Sequence, residues 1–448
     1  MTYRLANVTS TALLTDQYEL TMISAALQAG TADRTCVFEL FARRLPDGRR
    51  YGVVAGTERF LDALDEFRFG DDELAVLKEI LDPDTVAWLA DYRFTGDIDG
   101  YREGELYFPN SPILTVKGGF AEAVVLETVA LSILNHDSAI ASAAARMVSA
   151  AAGRTVIEMG TRRTHEQAAV AASRAAYLAG FTMTSNLEAH RTYGVPSGGT
   201  AAHAWTLSFA TPDGSDEKAA FRAQIDRLGV GTTLLVDTYD ITQGVKNAVE
   251  VAGPELGAVR IDSGDLGVIA RQVREQLDSL GNPNTKIVVS GDLDEYAIAS
   301  LRAEPVDSYG VGTSLVTGSG APTAGMVYKL VEVDGIPVAK RSSHKESHGG
   351  EKRAVRAARG SGTITDEIIY WADTPRPDPD SIGLKGKVLT DLQIPLVRGG
   401  ERVAGLPDLH DAREHLARGL VTLPWEGLGL SHGEPAITTR YVNEPTAR

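Results

Sequence analysis

A chain of 448 residues, 43% hydrophobic and 23% charged, has enough apolar side chains for two or more structural units. Its formal net charge of −16 argues against a nucleic-acid or membrane-surface protein, whose affinity comes from excess Lys and Arg. An anionic small ligand stays open, provided its site concentrates arginine locally. Cys36 is the only cysteine, so an intrachain disulfide and a cysteine metal cluster are excluded. The opening MTYRLANVTS lacks the long apolar run of a secretory signal, and no 18-residue apolar run suggests a membrane span. The expectation is a soluble cytoplasmic enzyme.

In chain order, Thr15-Asp16 reads as a helix start and Gly30 as its stop, with Tyr18 in the first turn. Residues 35–41 read as a strand. Arg43, Arg44, Arg49 and Arg50 surround Pro46-Asp47-Gly48, which reads as a solvated basic turn. Residues 52–92 are mostly helical, and 96–121 carry the turn punctuation of hairpins. Together, 1–125 form an α+β domain. The alanine-rich stretch 122–152 is helical and closes at Gly153.

From Thr155 the pattern changes. Thr155-Val156-Ile157-Glu158-Met159 reads as a strand running into Gly160-Thr161-Arg162-Arg163. Thr164 and Gln167 match a capping box for a helix over 165–179. Adjacent arginines at a strand end facing a helix start suit phosphate or carboxylate, because guanidinium is a permanent, bidentate donor. Small residues follow at Gly198-Gly199-Thr200-Ala201-Ala202, then His203 before an apolar run taken as a strand. A lone histidine there is more often structural than catalytic, and His190 is the weaker candidate of the two.

Four strand-turn-helix units then recur about 25 residues apart. Leu234-Leu235-Val236 enters Asp237-Thr238-Tyr239-Asp240. Ala258 to Ile261 enters Asp262-Ser263-Gly264-Asp265. Lys286 to Val289 enters Ser290-Gly291-Asp292-Leu293. Ser308 to Val311 enters Gly312-Thr313-Ser314. Any one loop could be only a helix cap. Four in phase point to a parallel sheet or barrel with its site at the strand C-terminal ends. Such turns offer backbone N–H groups for a phosphate and carboxylates for hydroxyls or a hydrated cation. Arg260 lies inside an apolar run, where a strand without function would not place a charge. Residues 126–325 form this domain. Residues 326–341 read as a hairpin about Asp334-Gly335, and 342–353 as a polar loop. His344 and His348 there lack acidic or cysteine partners in register for a metal. The segment 326–448 supplies extra strands and a helix over 407–418 that pack back on the first domain.

Taken in order, six pieces carry a resemblance over most of residues 11–341: Thr15-Asp16-Gln17-Tyr18-Glu19-Leu20-Thr21-Met22, Gly160-Thr161-Arg162-Arg163, Gly199-Thr200-Ala201-Ala202-His203, Arg260 through Leu266, Gly310-Val311-Gly312-Thr313-Ser314, and Tyr328-Lys329-Leu330. The chain resembles the nicotinate phosphoribosyltransferases, a type II phosphoribosyltransferase family. That resemblance implies an α/β fold, an irregular parallel βα barrel beside an α+β domain built from both chain ends. It also implies a homodimer with shared sites. The implied reaction joins nicotinate to phosphoribosyl pyrophosphate, giving nicotinate mononucleotide and pyrophosphate in NAD salvage, with Mg²⁺ and coupled ATP hydrolysis.

Carried over by position, Tyr18 matches the tyrosine that stacks on the pyridine ring from the partner subunit. Arg162 matches the arginine meeting phosphate and ring. Thr200 and Arg260 match the nicotinate and phosphoribosyl pocket. Asp262, Gly291 and Asp292 match ribose-binding turns, with Ser263 as a further substrate contact. Gly312 and Thr313 match the 5′-phosphate loop. His203 matches the histidine that ATP phosphorylates, and Asp237 is a candidate organiser of Mg²⁺ and pyrophosphate. His203, Arg260 and Asp262 make up the catalytic group. Met159 stands where the family often carries Phe; its thioether can still pack on an aromatic ring.

Two other readings share these residues. In nicotinamide phosphoribosyltransferase an Asp accepts the amide N–H₂ where Asn186 stands here, and Asn does not repel a carboxylate. A non-catalytic sugar-phosphate-binding barrel would have no need of a phosphorylatable His203. Quinolinate phosphoribosyltransferases are shorter with different motifs. The stretch from Leu234 to Gly244 has a superficial likeness to the type I phosphoribosyltransferase signature but lacks its adjacent acidic pair.

Overall fold

Seven of the eight residues of the strand Thr35–Ala42 are buried, as an inner strand of a covered sheet requires. In the computed structural model, which describes residues 10–212, 214–340 and 348–444, this strand lies between Met326–Val333 and Leu114–Gly119 and pairs antiparallel with both. The full order is Ile336–Pro337, Met326–Val333, Thr35–Ala42, Leu114–Gly119, Asp97–Tyr101, Gln393–Arg398, Glu401–Arg402. A second sheet runs Val388–Asp391, Lys352–Ala358, Ile364–Trp371, Thr438–Val442. Both belong to one compact unit made of Met1–Ala139 and Thr323–Arg448. The α+β domain is therefore built from both chain ends, with Phe38 of one end stacked on Tyr328 of the other at 4.9 Å between ring centres.

Several local expectations change here. The basic segment after residue 42 is not simply a solvated turn. Arg49 is buried, and Arg50 donates to the Ser431 hydroxyl at 3.1 Å and the His432 carbonyl at 3.2 Å. Lys352 and Arg353, expected in a polar loop, begin a strand, and Lys352 pairs with buried Glu39 at 2.9 Å. A chain fold that leaves a buried carboxylate on one strand draws its counter-ion inward. His348 meets Glu444 at 3.1 Å, and His344 lies outside the described residues. The stretch Phe120–Ala151 is long and apolar enough to cross a membrane by length and composition, but 61% of its apolar window is buried inside the protein, as in a core helix.

The second unit, Ile140–Pro322, holds the repeated strand-turn-helix series. Its sheet is parallel throughout, in the order Thr233–Leu235, Ala258–Ile261, Lys286–Gly291, Ser308–Val311, Thr155–Glu158, Met183–Thr184. Val259, Ile261, Ile287, Val289, Tyr309 and Val311 are fully buried, which explains the apolar runs read from the sequence. The crossover helices include Ile241–Ala252, Leu266–Ser279 and Glu295–Ser300, and Asp240, Asp265 and Asp294 cap them with their side chains. The expected Thr164 capping box is replaced. His165 is the cap of Glu166–Leu178, its ring accepting from the Gln167 N–H. The apolar run after His203 is a short helix, His203–Leu207, not a strand.

Candidate active site

All six strands of this parallel sheet run the same way, so their C-terminal ends share one rim. Register carries this through residue by residue. Leu235 pairs with Arg260 and Arg260 with Val288, Ser290 with Gly310, Gly291 with Val311, Val311 with Glu158, and Glu158 with Thr184. The turns holding Asp237, Asp262-Ser263, Gly291-Asp292, Gly312-Thr313, Arg162 and Asn186 thus follow consecutive strands of one half-barrel.

Direct contacts knit the first of these turns together. Arg260 donates from Nε to the Ser290 hydroxyl at 2.8 Å and from Nη2 to Asp262 at 3.2 Å. Ser290 also donates to Asp262. Asp237 Oδ2 accepts the Asp262 N–H and the Ser263 hydroxyl, both at 2.8 Å. Its other oxygen is buried without a hydrogen-bond partner. His203 brings its own segment to this cluster. Its Nδ1 lies 3.1 Å from the Thr238 hydroxyl, and its Nε2 faces Asp237 at 3.8 Å and Asp262 at 3.9 Å. The His203 side chain is 39% exposed, enough for a small molecule to reach it.

The segment before His203 starts from the opposite edge of the sheet. Ser197 forms a parallel bridge with Thr184, and the Gly198 N–H donates to the Thr184 carbonyl at 3.0 Å. Residues 198–202, with exposed Thr200 among them, therefore run from the Met183–Thr184 edge to the loop after Thr233–Leu235. Arg162 and Thr313 are exposed; Arg162 sits in a short 3₁₀ segment and Thr313 opens the short helix Thr313–Val316. The two loops approach closely: a Cβ on Gly160 would fall 2.3 Å from Val316 Cγ1. Met159 lies against Gly310, with its sulfur 2.6 Å from where a Cβ would stand.

Asn186 is buried and already engaged. Its carbonyl caps the Leu187–Tyr193 helix by accepting the Ala189 N–H at 2.8 Å, and its N–H₂ donates to Thr161 at 3.3 Å. Tyr18 belongs to the first unit, on the helix Gln17–Ala29, and is 47% exposed. Partial burial, then the charges of Glu127 and Glu19, hold its phenol well above the ordinary range. Sequence reasoning passed over Ser290, Thr238 and Glu158 as site-building groups. Glu158 gave the same signal as Arg260, a charge within an apolar strand. A separate cavity of about 560 Å³, lined by Glu217, Tyr239, Asp240, Gln243 and Asn247 among others, contains none of the sequence-predicted site residues.

Among the described residues no group of three or more His, Cys, Asp or Glu is arranged to hold a metal ion. The rim can instead offer one or two carboxylates to an ion that also binds phosphate oxygens. Chemically it presents a guanidinium fixed by two partners, a reachable imidazole beside two carboxylates, and turn amides.

Comparison with known proteins follows the same outline. Residues 13–135 match the model of the nicotinate phosphoribosyltransferase N-terminal domain, and residues 155–361 that of the nicotinate phosphoribosyltransferase family. The chain is 65% identical over 433 residues to nicotinate phosphoribosyltransferase pncB1 of Mycobacterium tuberculosis, covering 96% of this chain and 95% of the relative. Nicotinate phosphoribosyltransferase of Bacillus subtilis is 38% identical over 365 residues, covering 78% and 73% respectively. Among solved structures, human nicotinic acid phosphoribosyltransferase superposes with a TM-score of 0.80 at 27% identity, covering 95% of this chain and 97% of that one. The nicotinate-nucleotide pyrophosphorylase of Pyrococcus furiosus gives 0.77 at 25% identity, covering 94% and 99%.

Proposed function

The chain belongs to the nicotinate phosphoribosyltransferase family, and on that premise we propose that its reaction is coupled to ATP hydrolysis through a phosphoryl group carried by His203. The reaction itself is the family's: nicotinate and phosphoribosyl pyrophosphate give nicotinate mononucleotide and pyrophosphate, in NAD salvage.

The observation that carries the coupling is the environment of His203. Two carboxylates face Nε2, while Nδ1 meets only the neutral Thr238 hydroxyl. Carboxylates favour a proton on Nε2 and repel an incoming phosphate there. Nδ1 keeps its lone pair and is the nucleophile: the Nδ1–P bond forms, the bond from the γ-phosphorus to the bridging oxygen breaks, and ADP leaves with that electron pair. Asp237 and Asp262 stabilise the resulting charged ring. After the transfer water attacks the phosphorus, the N–P bond breaks with its electron pair returning to Nδ1, and phosphate leaves.

In the transfer step Arg260 and the turn amides bind the phosphates, and Asp262 and Asp292 take ribose hydroxyls. Arg162, Thr200 and Tyr18 orient nicotinate so that its ring nitrogen faces the anomeric carbon. The N–C bond forms as the C–O bond to pyrophosphate breaks, with positive charge spread over the ring oxygen between. The unpartnered oxygen of Asp237, with Asp262, would hold a hydrated Mg²⁺, which would supply neutralising charge for the departing pyrophosphate. A homodimer that supplies Tyr18 across its interface belongs to the same reading, and half-exposed Tyr18 beside exposed Leu13 and Leu14 supports it. A cytoplasmic location belongs to the same reading.

The test is incubation with ATP labelled at the γ-phosphate, together with turnover of nicotinate, nicotinamide and quinolinate in turn. Wild type should take up label and His203→Ala none. Equal labelling of both proteins, or none of wild type, removes the coupling; better turnover of nicotinamide removes the substrate assignment.

A further inference from the structure

Glu158 ends the inner strand Thr155–Glu158, next to the Met183–Thr184 edge, and is buried with its side chain turned into the second unit. One carboxylate oxygen accepts the Gly160 N–H, at the start of the turn that carries Arg162. The other accepts the hydroxyls of Ser173, at 3.0 Å, and of Thr184. Thr184 Oγ1 in turn accepts the Asn186 N–H at 2.9 Å, and the Asn186 N–H₂ reaches back to Thr161 at 3.3 Å. The contacts close a ring: Glu158, Gly160-Thr161, Asn186, Thr184, and Glu158 again. Two rim turns on neighbouring strands are thereby locked to one buried carboxylate.

A strand this placed has no structural need for a charge. A buried carboxylate is costly unless its oxygens are filled, and an aliphatic residue there would pack without that cost. What an aliphatic residue could not do is accept from a backbone N–H on one turn and a hydroxyl on the other at once. Burial pushes the Glu158 carboxyl up, and the donors from Thr184, Gly160 and Ser173 pull it back.

We infer that Glu158 is a positioning residue for the reaction, fixing the Arg162 turn and the Asn186 turn in the one mutual geometry that binds nicotinate. The inference rests on the reading of the rim as a nicotinate site. It distinguishes Glu158 from Ser173, whose single hydroxyl proton is shared between the same carboxylate and the Ala169 carbonyl at 2.8 Å on its own helix, Glu166–Leu178. Ser173 also meets Thr184 Oγ1 at 3.1 Å, but it sits behind the ring and joins neither rim turn.

Steady-state kinetics on the full-length enzyme test this with Glu158→Gln, Glu158→Ala, Thr184→Val and Ser173→Ala, each with a thermal melt. Thr184→Val keeps the shape of the side chain while cutting the ring at the Asn186 side, so it informs even where Glu158→Ala does not fold. Glu158→Ala and Thr184→Val should raise KM for nicotinate about tenfold with a smaller change in kcat. Glu158→Gln should recover most of the loss: its carbonyl still accepts from Gly160, while Thr184 and Ser173 can turn their hydroxyls to accept from the amide. Ser173→Ala should lower the melting temperature and leave KM unchanged. The inference fails if Thr184→Val leaves the nicotinate KM where it was, or if Ser173→Ala raises it equally. Wild type without nicotinate turnover in the same assay would instead overturn the functional reading.

Discussion

Asp237 and Asp262 end neighbouring parallel strands, and the carboxylate of the first accepts the backbone N–H of the second at 2.8 Å. The same oxygen takes the Ser263 hydroxyl. A carboxylate that receives a backbone donor from the next strand's turn fixes that turn independently of any ligand. It also leaves its second oxygen directed at His203. One aspartate thus fixes the Asp262 turn and places a negative charge beside the imidazole.

Removing it should damage stability and chemistry together. Asp237→Ala leaves a backbone N–H and a hydroxyl without their acceptor, at a cost of about 1–3 kcal/mol. It should also lower kcat roughly 100-fold, the scale seen when one preorganised polar group is lost. Asp237→Asn keeps one acceptor oxygen and should restore most of the stability but not the rate. Urea unfolding alongside kcat decides; loss of stability with an unchanged rate would assign Asp237 to the scaffold alone.

Gly160→Ala tests how tightly the Arg162 and Thr313 loops meet. The new methyl would stand 2.3 Å from Val316 Cγ1 and 3.0 Å from the Gly312 carbonyl. Either the helix of Thr313 moves or the Arg162 turn does, at about 1–3 kcal/mol of overpacking. KM for phosphoribosyl pyrophosphate should rise about tenfold or more, the equivalent of ~1.4 kcal/mol. An unaltered KM would separate these loops from the phosphoribosyl site.

Much of this was legible in the chain. Four apolar runs, each ending in Ser, Gly, Asp or Thr at nearly constant spacing, fix strand direction and place their turns on one rim, because parallel strands must return through a crossover. Arg260 stood out as a charge within such a run. What was not legible was settled by distant contacts. Thr164 has the residue type a cap favours, but backbone geometry sets the cap one residue later, at His165. The helix at His203 is five residues long, too short for its periodicity to be told from a strand. Arg50 finds its partners 381 and 382 residues away, which no local pattern encodes.

Glu19 supplies a pH test in the first unit. It is fully buried and accepts from the Thr128 N–H at 3.0 Å, the Thr128 hydroxyl and the Thr15 hydroxyl. Burial outweighs these donors and pushes its carboxyl up to about 7 from an ordinary 4.5. A folded-state value above the unfolded one means the protonated form is favoured by folding. That contribution is complete below pH 4.5 and is lost as pH rises through about 7. Glu19→Gln is neutral throughout, so its melting temperature should gain on wild type as pH rises across this window. Parallel pH profiles for the two proteins would disprove the shift.

Arg260 and Tyr18 together test whether the sites are shared between subunits. Arg260 has five N–H donors, of which Ser290 and Asp262 take two, leaving the rest for an anion. Arg260→Ala should abolish turnover with the fold intact, since its side chain retains 15% exposure and no buried carboxylate is stranded by its loss. Arg260→Lys should also be poor, because one ammonium cannot hold both partners and still face a phosphate. Tyr18→Ala should lose ring stacking and raise KM for nicotinate. If Tyr18 serves the partner's rim, a heterodimer of Arg260→Ala with Tyr18→Ala carries both lesions in one site and neither in the other. Equal mixing after dissociation would then restore about a quarter of wild-type activity, half the dimers being mixed and half their sites whole. If each subunit used its own Tyr18, every site in the mixture would keep one lesion, and mixing would recover nothing above the average of the two variants.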